Sequence, residues 1–339
     1  MRLAAYIIRR LLLLIPVLLG VTILVFTLTR ISGDPGAAYI TERMTDEQIA
    51  QIYDEYHLNE PIMTQYFYWL NGILHGDWGL SKSDGDRPVL VSIADYFPAT
   101  FELTMVSMAI GVFIGIFVGT AISVRKDKLA DHGARSISLI GVSIPIFWLA
   151  LLLLYVFYLQ LGWFPPGGEV SDKYILQGVP DYTGMVMIDA MIALDWQLTV
   201  DAAWHLVLPA VTLAFGTIAV ILRIMRSSML EVLNQDYVKA ARAKGVPESV
   251  VIKKHARRNA MIPTTTIIGL TFGALLAGAV LTESIFRWPG IGRWSADAIL
   301  SLDWNSIMGF TLLVAIIYCL TNLFVDILYA YLDPRIKLE

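Results

Sequence analysis

The chain has 339 residues, 56% of them hydrophobic and 16% charged, with a mean hydropathy of +0.63. A soluble domain of this length needs charge spread along its whole sequence, whereas here the ionisable groups are bunched between long uncharged runs, which excludes an ordinary soluble globule and fits a bilayer-spanning chain. The net charge of −4 decides little, because the two faces of a membrane protein must be counted separately. The lone cysteine, Cys319 inside an apolar run, excludes a disulfide framework and a thiolate metal site.

Crossing a hydrocarbon core of roughly 30 Å takes about 20 helical residues. Six uncharged stretches meet that length: 11–28, 103–124, a segment within 136–168, 205–222, 261–282 and 304–325. Pro16, Pro145 and Pro209 lie inside them and predict kinks, which membrane helices tolerate. Glycines four apart, Gly111, Gly115 and Gly119 and again Gly269 and Gly273, predict faces where helices approach closely.

The first stretch has the basic start and apolar run of a signal peptide. The run is long for that role, though, and no small-residue cleavage site follows at Thr29-Arg30-Ile31-Ser32, so a retained anchor over 1–31 is expected. Segment 32–97 is expected to be an external helical insertion. Thr45 and Gln48 have capping-box spacing before Ile49, Ile52, Tyr53 and Tyr56, and Pro61 opens a second helix carrying Tyr66, Phe67, Tyr68 and Trp69, residues suited to a membrane interface. Gly76-Asp77-Trp78-Gly79 reads as a turn. The insertion serves either as a partner-docking unit or as a lid on the bundle. Residues 163–204 form a second loop on the same side, with no legible secondary structure beyond the turn at Pro165-Pro166-Gly167-Gly168.

Lysine and arginine set the orientation. With six alternating helices, one side collects Arg2, Arg9 and Arg10, then Arg125, Lys126, Lys128 and Arg135, then the cations of 223–258, and finally Arg335 and Lys337. The opposite side is acidic: segment 32–97 holds eleven Asp or Glu against Arg43, Lys82 and Arg87. Both termini are therefore expected in the cytoplasm of a multi-pass protein of the cell membrane. The fold class is an all-α polytopic membrane protein with six transmembrane helices and an external helical subdomain after the first.

The most informative segment lies between the fourth and fifth stretches. Asp236 is placed to cap a helix over 237–244, Gly245 to end it, and Pro247 to sit in the first turn of a second helix running toward Arg257. Ala240, Ala241 and Ala243 give this hairpin a small-residue face that lets another protein surface approach the backbone, flanked by cations. A basic loop that only fixes topology and touches anionic lipid is the alternative.

Here the residues carry a resemblance. Tyr237-Val238-Lys239-Ala240-Ala241-Arg242-Ala243-Lys244-Gly245, followed by His255-Ala256-Arg257-Arg258-Asn259-Ala260-Met261-Ile262-Pro263, resembles the coupling loop of ABC importer permeases of the dipeptide/oligopeptide branch. Ala240, Ala241 and Gly245 keep the superfamily spacing. Lys239 stands where the wider superfamily has Glu, and the peptide branch resembles this chain in having a basic residue there. Further matches in order are Leu14 to Val21, Gly33-Asp34-Pro35, Pro98 to Thr104, His205 to Ala210, Arg226 to Leu230, Glu283 to Gly292 and Asp326 to Arg335.

The resemblance implies a permease core over 98–332 with five transmembrane helices and a coupling loop at 227–262. Asp236, Tyr237, Lys239, Ala240, Ala241, Lys244, Gly245, His255, Arg258 and Pro263 would form the ATPase-coupling site. It also implies as partners a second homologous permease, two cytoplasmic ATPase subunits, an external substrate-binding protein and the lipid bilayer, with no nucleic acid. Cargo in such systems includes dipeptides, oligopeptides, nickel, glutathione and oligosaccharides.

The residues also weigh against rivals. There is no G-x-x-x-x-G-K-[ST] phosphate loop, so energy must come from another chain or from an ion gradient. A gradient-driven carrier usually places ionisable groups at mid-membrane, and the stretches lack them: Glu102 and Glu283 fall near the acidic-side ends and Asp326 near the basic-side end. The five histidines show no metal spacing, so no catalytic, metal or cofactor site is expected. Thr100, Thr104, Ser143 and Thr266 are the type of residue that would line a wide polar path, without being assignable from sequence.

Overall fold

The computed structural model describes residues 3–33, 36, 39, 40, 44–125 and 127–332. Asp34, Pro35 and the 333–335 part of the last matched motif lie outside them, as do Arg2, Arg43, Lys126, Arg335 and Lys337 of the charge count. Five described helices are long and apolar enough to cross a membrane: α1 (Leu3–Ser32), α4 (Val89–Ser123), α9 (Trp196–Leu233), the continuous run Glu248–Leu276 and α15 (Trp304–Leu332). A bent pair, α5 (Leu129–Ser143) and α6 (Ile146–Leu153), the latter continued by a π-helical turn to Gln160, has the combined length and apolarity of a sixth, broken span or of a re-entrant loop.

The kink expected at Pro145 is here a sharp bend of 103° between the two helices. Pro145 supplies no N–H to the preceding turn, and the residue before a proline is pushed out of the helical region; Ile144 sits at φ −74°, ψ 125°. The fifth span also differs from expectation. Its last segment, α12 (Arg257–Leu276), stops before Thr282 because Gly278 takes φ 101°, and a separate short helix, α13 (Val280–Ile285), follows. α4 begins at Val89, inside the segment expected to be external, because Pro88 can precede a first helical turn at no hydrogen-bond cost.

The acidic-side segments have their own order. α2 (Asp46–Glu55) carries the expected capping box, with Thr45 and Gln48 satisfying each other's backbone N–H groups. α3 (Ile62–Leu74) starts after Pro61 and lays Tyr66 and Trp69 against Val25 and Phe26 of α1 and Met308 of α15. A two-residue antiparallel ladder, β1 (Leu80–Ser81) with β2 (Arg87–Pro88), leads into α4. The second loop contains α7 (Asp172–Gln177) and α8 (Val186–Ile192), and α14 (Ile291–Leu300) precedes α15.

The centre of the bundle is the α4–α9 pair, and the glycines explain how closely it packs. A Cβ on Gly111, Gly115 or Gly119 would lie 2.4, 2.7 and 2.9 Å from Thr217, Ile221 and Met225, themselves four apart on α9. Gly269 and Gly273 of α12 meet Val325 and Thr321 of α15 in the same way, and Gly141 of α5 meets Ala219 of α9. α1 lies at the periphery against α15 and exposes Leu11, Leu12, Leu13 and Ile15, as a lipid-facing helix does.

At the acidic end, buried carboxylates staple the connections. Glu283 accepts hydrogen bonds from the Thr100 hydroxyl at 2.9 Å and from the backbone N–H groups of Ala279 and Arg293 at 3.1 and 2.9 Å. Asp189 accepts from the N–H groups of Tyr182, Thr183 and Gly184, and Asp303 from Ser81, Ser83 and Ser306. Burying a carboxylate is costly unless its lone pairs are met, and these are met by side-chain hydroxyls and by backbone N–H groups that would otherwise be orphaned at loops and helix starts.

Candidate functional site

The hairpin between α9 and the fifth span starts where α9 ends at Leu233. The next helix, α10 (Asp236–Ala243), opens on Gln235 as its cap residue, so Asp236 is not the cap that the sequence suggested. Asp236 sits in the first turn, where its charge favours the helix N-terminus, and its carboxylate accepts a hydrogen bond from Lys239 at 3.0 Å.

The end of α10 is built as the sequence implied. Gly245 takes φ 76°, its N–H donates to the Arg242 carbonyl at 3.0 Å, and the Val246 N–H donates to the Ala241 carbonyl at 3.2 Å. These two bonds are a Schellman ending, and they need a left-handed residue at position 245. Pro247 occupies the cap position before α11 (Glu248–Val250), rather than the first turn. The second helix runs toward Arg257 and on beyond it. A π-helical turn, Val251–Ala256, joins α11 to α12 in one continuous run, so the hairpin's second arm is the fifth span itself.

Three contacts hold the two arms in one geometry. The Arg242 guanidinium forks onto Glu248 at 2.7 and 3.0 Å across the Gly245 turn, and that bond raises the Arg242 pKa above its ordinary value. Asn259 donates to the Tyr237 hydroxyl at 2.7 Å and to the His255 carbonyl at 3.0 Å. Val238 and Val251, both fully buried, are the apolar contribution of α10 and the π turn. At the base, Met225 and Met229 of α9 pack against Ala256 and Ala260, and the Thr264 hydroxyl reaches the Met225 sulfur at 3.5 Å.

Most of the rest of α10 faces outward. Asp236, Tyr237, Lys239, Ala240, Lys244 and Gly245 are exposed, and Ala241 is half-buried. An eight-residue helix with a single buried residue gains little from its own chain, yet it has defined ends and cross-arm bonds. The structure thus brings Asp236, Tyr237, Lys239, Ala240, Ala241, Lys244 and Gly245 together on one projecting unit. His255 lies half-buried in the π turn, while Arg258 and Pro263 lie further along α12, Pro263 well inside the helix. The last two are therefore removed from the tip.

Sequence reasoning missed Glu248 and Asn259, which fix the tip, and Asp131, which meets Arg226 just before it. A carboxylate amid the cations of 125–135 was the legible signal for Asp131. Of the residues suggested for a polar path, Thr100 and Thr104 are buried, the former bound to Glu283, Thr266 is half-buried and Ser143 is exposed at the α5–α6 bend.

Residues 111–338 match the family described as binding-protein-dependent transport system inner membrane component, and residues 3–104 match its N-terminal companion. The chain is 42% identical over 334 residues to the dipeptide transport system permease protein DppB of Alkalihalophilus pseudofirmus, covering 98% of this chain and 99% of that protein. It is also 42% identical over 335 residues to the di/tripeptide transport system permease protein DppB of Pseudomonas aeruginosa, covering 98% of each. To the oligopeptide transport system permease protein AppB of Bacillus subtilis it is 38% identical over 336 residues, covering 98% and 99%. With a bundle of membrane-length helices matched end to end in this way, the chain belongs to the binding-protein-dependent transport system inner membrane components.

Proposed function

We propose that this chain is the permease subunit of an ATP-driven importer of dipeptides and oligopeptides, with hydrolysis carried by separate ATPase subunits. The observation that supports this best is the hairpin at 236–257: a small helix with ordered ends that exposes nearly all of its surface. Such a unit has the form of a projection made to enter a cleft in another protein. The basic end of the bundle then faces the cytoplasm, with both termini, and each of two ATPases receives the hairpin of one permease. The second permease is a homologous chain or a second copy. The acidic end faces outward, where segment 32–97 and the 161–195 connection meet an external binding protein that delivers peptide.

Closure of the ATPases on ATP biases the spans toward one of two arrangements, and hydrolysis releases that bias. In this reading the core spans 98–332, and Asp236, Tyr237, Lys239, Ala240, Ala241, Lys244 and Gly245 contact the ATPase directly. His255, Arg258 and Pro263 support the hairpin's second arm. The peptide cargo follows the substrates named for the relatives at 38–42% identity.

The test is an Ala240→Trp substitution, which puts a large ring on an exposed position of α10. The expected result is loss of the co-purifying ATPase and of uptake of labelled dialanine, with the chain still inserted in the membrane. Uptake in wild-type cells should survive collapse of the proton gradient as long as ATP is kept. Retained ATPase binding in the variant, or uptake that dies with the gradient alone, overturns the proposal.

A further inference from the structure

Arg226 belongs to a matched motif for which the hairpin contacts give no role. It sits on α9 seven residues before Leu233, about 10 Å of helix at 1.5 Å per residue from the start of the hairpin. Its side chain reaches α5. The Nε and a terminal nitrogen of Arg226 donate to the two carboxylate oxygens of Asp131 at 2.5 and 2.7 Å. Asp131 is completely buried, and Arg226 is 16% exposed.

The carboxylate is then saturated. The Asp127 N–H donates to it at 3.1 Å, from a residue at φ 62°, and Arg135 approaches at 3.2 Å. One buried side chain thus gathers the α4–α5 connection, the first turns of α5 and the last turns of α9.

A buried ion pair is a poor device for stability alone, because taking both charges out of water offsets much of their attraction. What a two-pronged guanidinium–carboxylate pair supplies is fixed relative geometry. The surrounding contacts show which bodies it fixes. Above it the Ser138 hydroxyl donates to the Ala219 carbonyl at 2.8 Å, and Gly141 lies against Ala219, so α5 follows α9 along their length. Beyond the 103° bend, Ala150 of α6 packs with Leu208 and Phe286, which lie at the acidic end. On the other side of Arg226, Met225 and Met229 clamp the hairpin's return arm. A displacement of the hairpin therefore reaches α9 and the fifth span through packing, and the α5–α6 pair through the Ser138 and Gly141 contacts with α9 together with the two-pronged Asp131–Arg226 pair at its start.

We infer that Asp131 and Arg226 are positioning residues that couple movement of the 236–257 hairpin to the bent α5–α6 span, so that nucleotide-driven motion opens the transport path instead of being lost within α9. This rests on the importer reading above. It makes a demand that a purely structural pair does not: breaking the pair should change how much cargo moves per ATP hydrolysed.

The experiment uses the assembled transporter in proteoliposomes, measuring labelled dialanine uptake and phosphate release on the same samples. Asp131→Asn removes the charge, and Arg226→Lys keeps the charge but loses the fork, serving as the milder variant should the first fail to assemble. For Asp131→Asn, peptide moved per ATP should drop at least about fivefold, the lower end of a typical coupling between sites. The ATPase rate should fall much less than uptake does, since neither residue lies on the exposed face of α10. Arg226→Lys should fall between. Uptake and hydrolysis declining in proportion, or an unchanged ratio in the variant that assembles, would overturn the inference and leave the importer reading standing. A wild-type complex without ATP-dependent uptake would overturn both.

Discussion

Replacing Gly245 by valine isolates one term in the hairpin's stability. At φ 76° a side chain suffers from its own backbone, whereas a Cβ built there meets no other atom within 4 Å. The cost is therefore purely conformational: about 1–2 kcal/mol for an ordinary L-residue in the left-handed region, and more for a β-branched one. If α10 escapes that strain by abandoning φ 76°, it forfeits the bonds from Gly245 N–H to Arg242 and from Val246 N–H to Ala241, each worth about 1 kcal/mol net. Either way the ordered hairpin loses about 1–2 kcal/mol or more, a factor of about 5–30 in its population.

Among the described residues outside its chain neighbours nothing lies within 4 Å of a Cβ at position 245, so insertion and the stability of the spans should be unchanged. A graded series follows: uptake in membrane vesicles should run Gly, then Asn, then Ala, then Val, because asparagine tolerates the left-handed region best after glycine. A valine variant that transports like wild type, at equal membrane abundance, would refute the reasoning, as would valine and asparagine failing equally.

Two further outcomes test the bundle itself. Gly115→Val drives a Cβ to 2.7 Å from the Ile221 side chain, an overpacking worth about 1–3 kcal/mol, and should lower the thermal midpoint of the detergent-solubilised protein. Adding Ile221→Ala should recover part of that loss, and no recovery would mean that the clash is elsewhere. Glu169, in the connection after Gly168, has a buried oxygen without a hydrogen-bond partner among the described residues, and burial reinforced by the nearby Glu102 carboxylate pushes its pKa from 4.5 up to about 8. The folded protein thus holds a proton that the unfolded chain releases above about pH 4.5. This contribution to stability is full below that pH, declines as pH rises, and is lost beyond about 8. Glu169→Gln should flatten the decline, so its thermal midpoint should gain on wild type between pH 5 and 8.5; parallel curves would exclude the assignment.

The features that the sequence made legible are those governed by local chemistry or by the solvent. Lipid cannot hydrogen-bond a backbone, so each crossing must be a long uncharged helix, and five appear as continuous runs in the chain. The capping box at Thr45, the helix opened after Pro61 and the stop at Gly245 were readable because each is decided within a few residues. Errors arose where neighbours outvoted the local signal. Asp236 has a capping side chain, yet Gln235 holds the cap, and the second helix, read as running toward Arg257, continues past it as the fifth span, with Ala256 and Ala260 packed against Met225 and Met229.

The candidate site divides along the same line. That residues 236–245 form a short helix with a glycine stop is a local fact. That this helix is fixed to the next by Arg242–Glu248 and Tyr237–Asn259 required the fold. Glycines spaced by four announced close packing, but only the structure paired Gly111, Gly115 and Gly119 with Thr217, Ile221 and Met225.

The sequence by itself determined that this chain crosses a membrane in helices and carries a basic hairpin between two of them, because hydrophobic length and backbone preference are local properties. The tertiary structure alone decided that Asp131 meets Arg226 across 95 residues of sequence, and that Glu283 gathers Thr100, Ala279 and Arg293 around one buried carboxylate. The physical reason is the cost of burying charge: a carboxylate enters a low-dielectric interior only where specific donors await it, and which donors those are is settled by packing, not by neighbours in the chain.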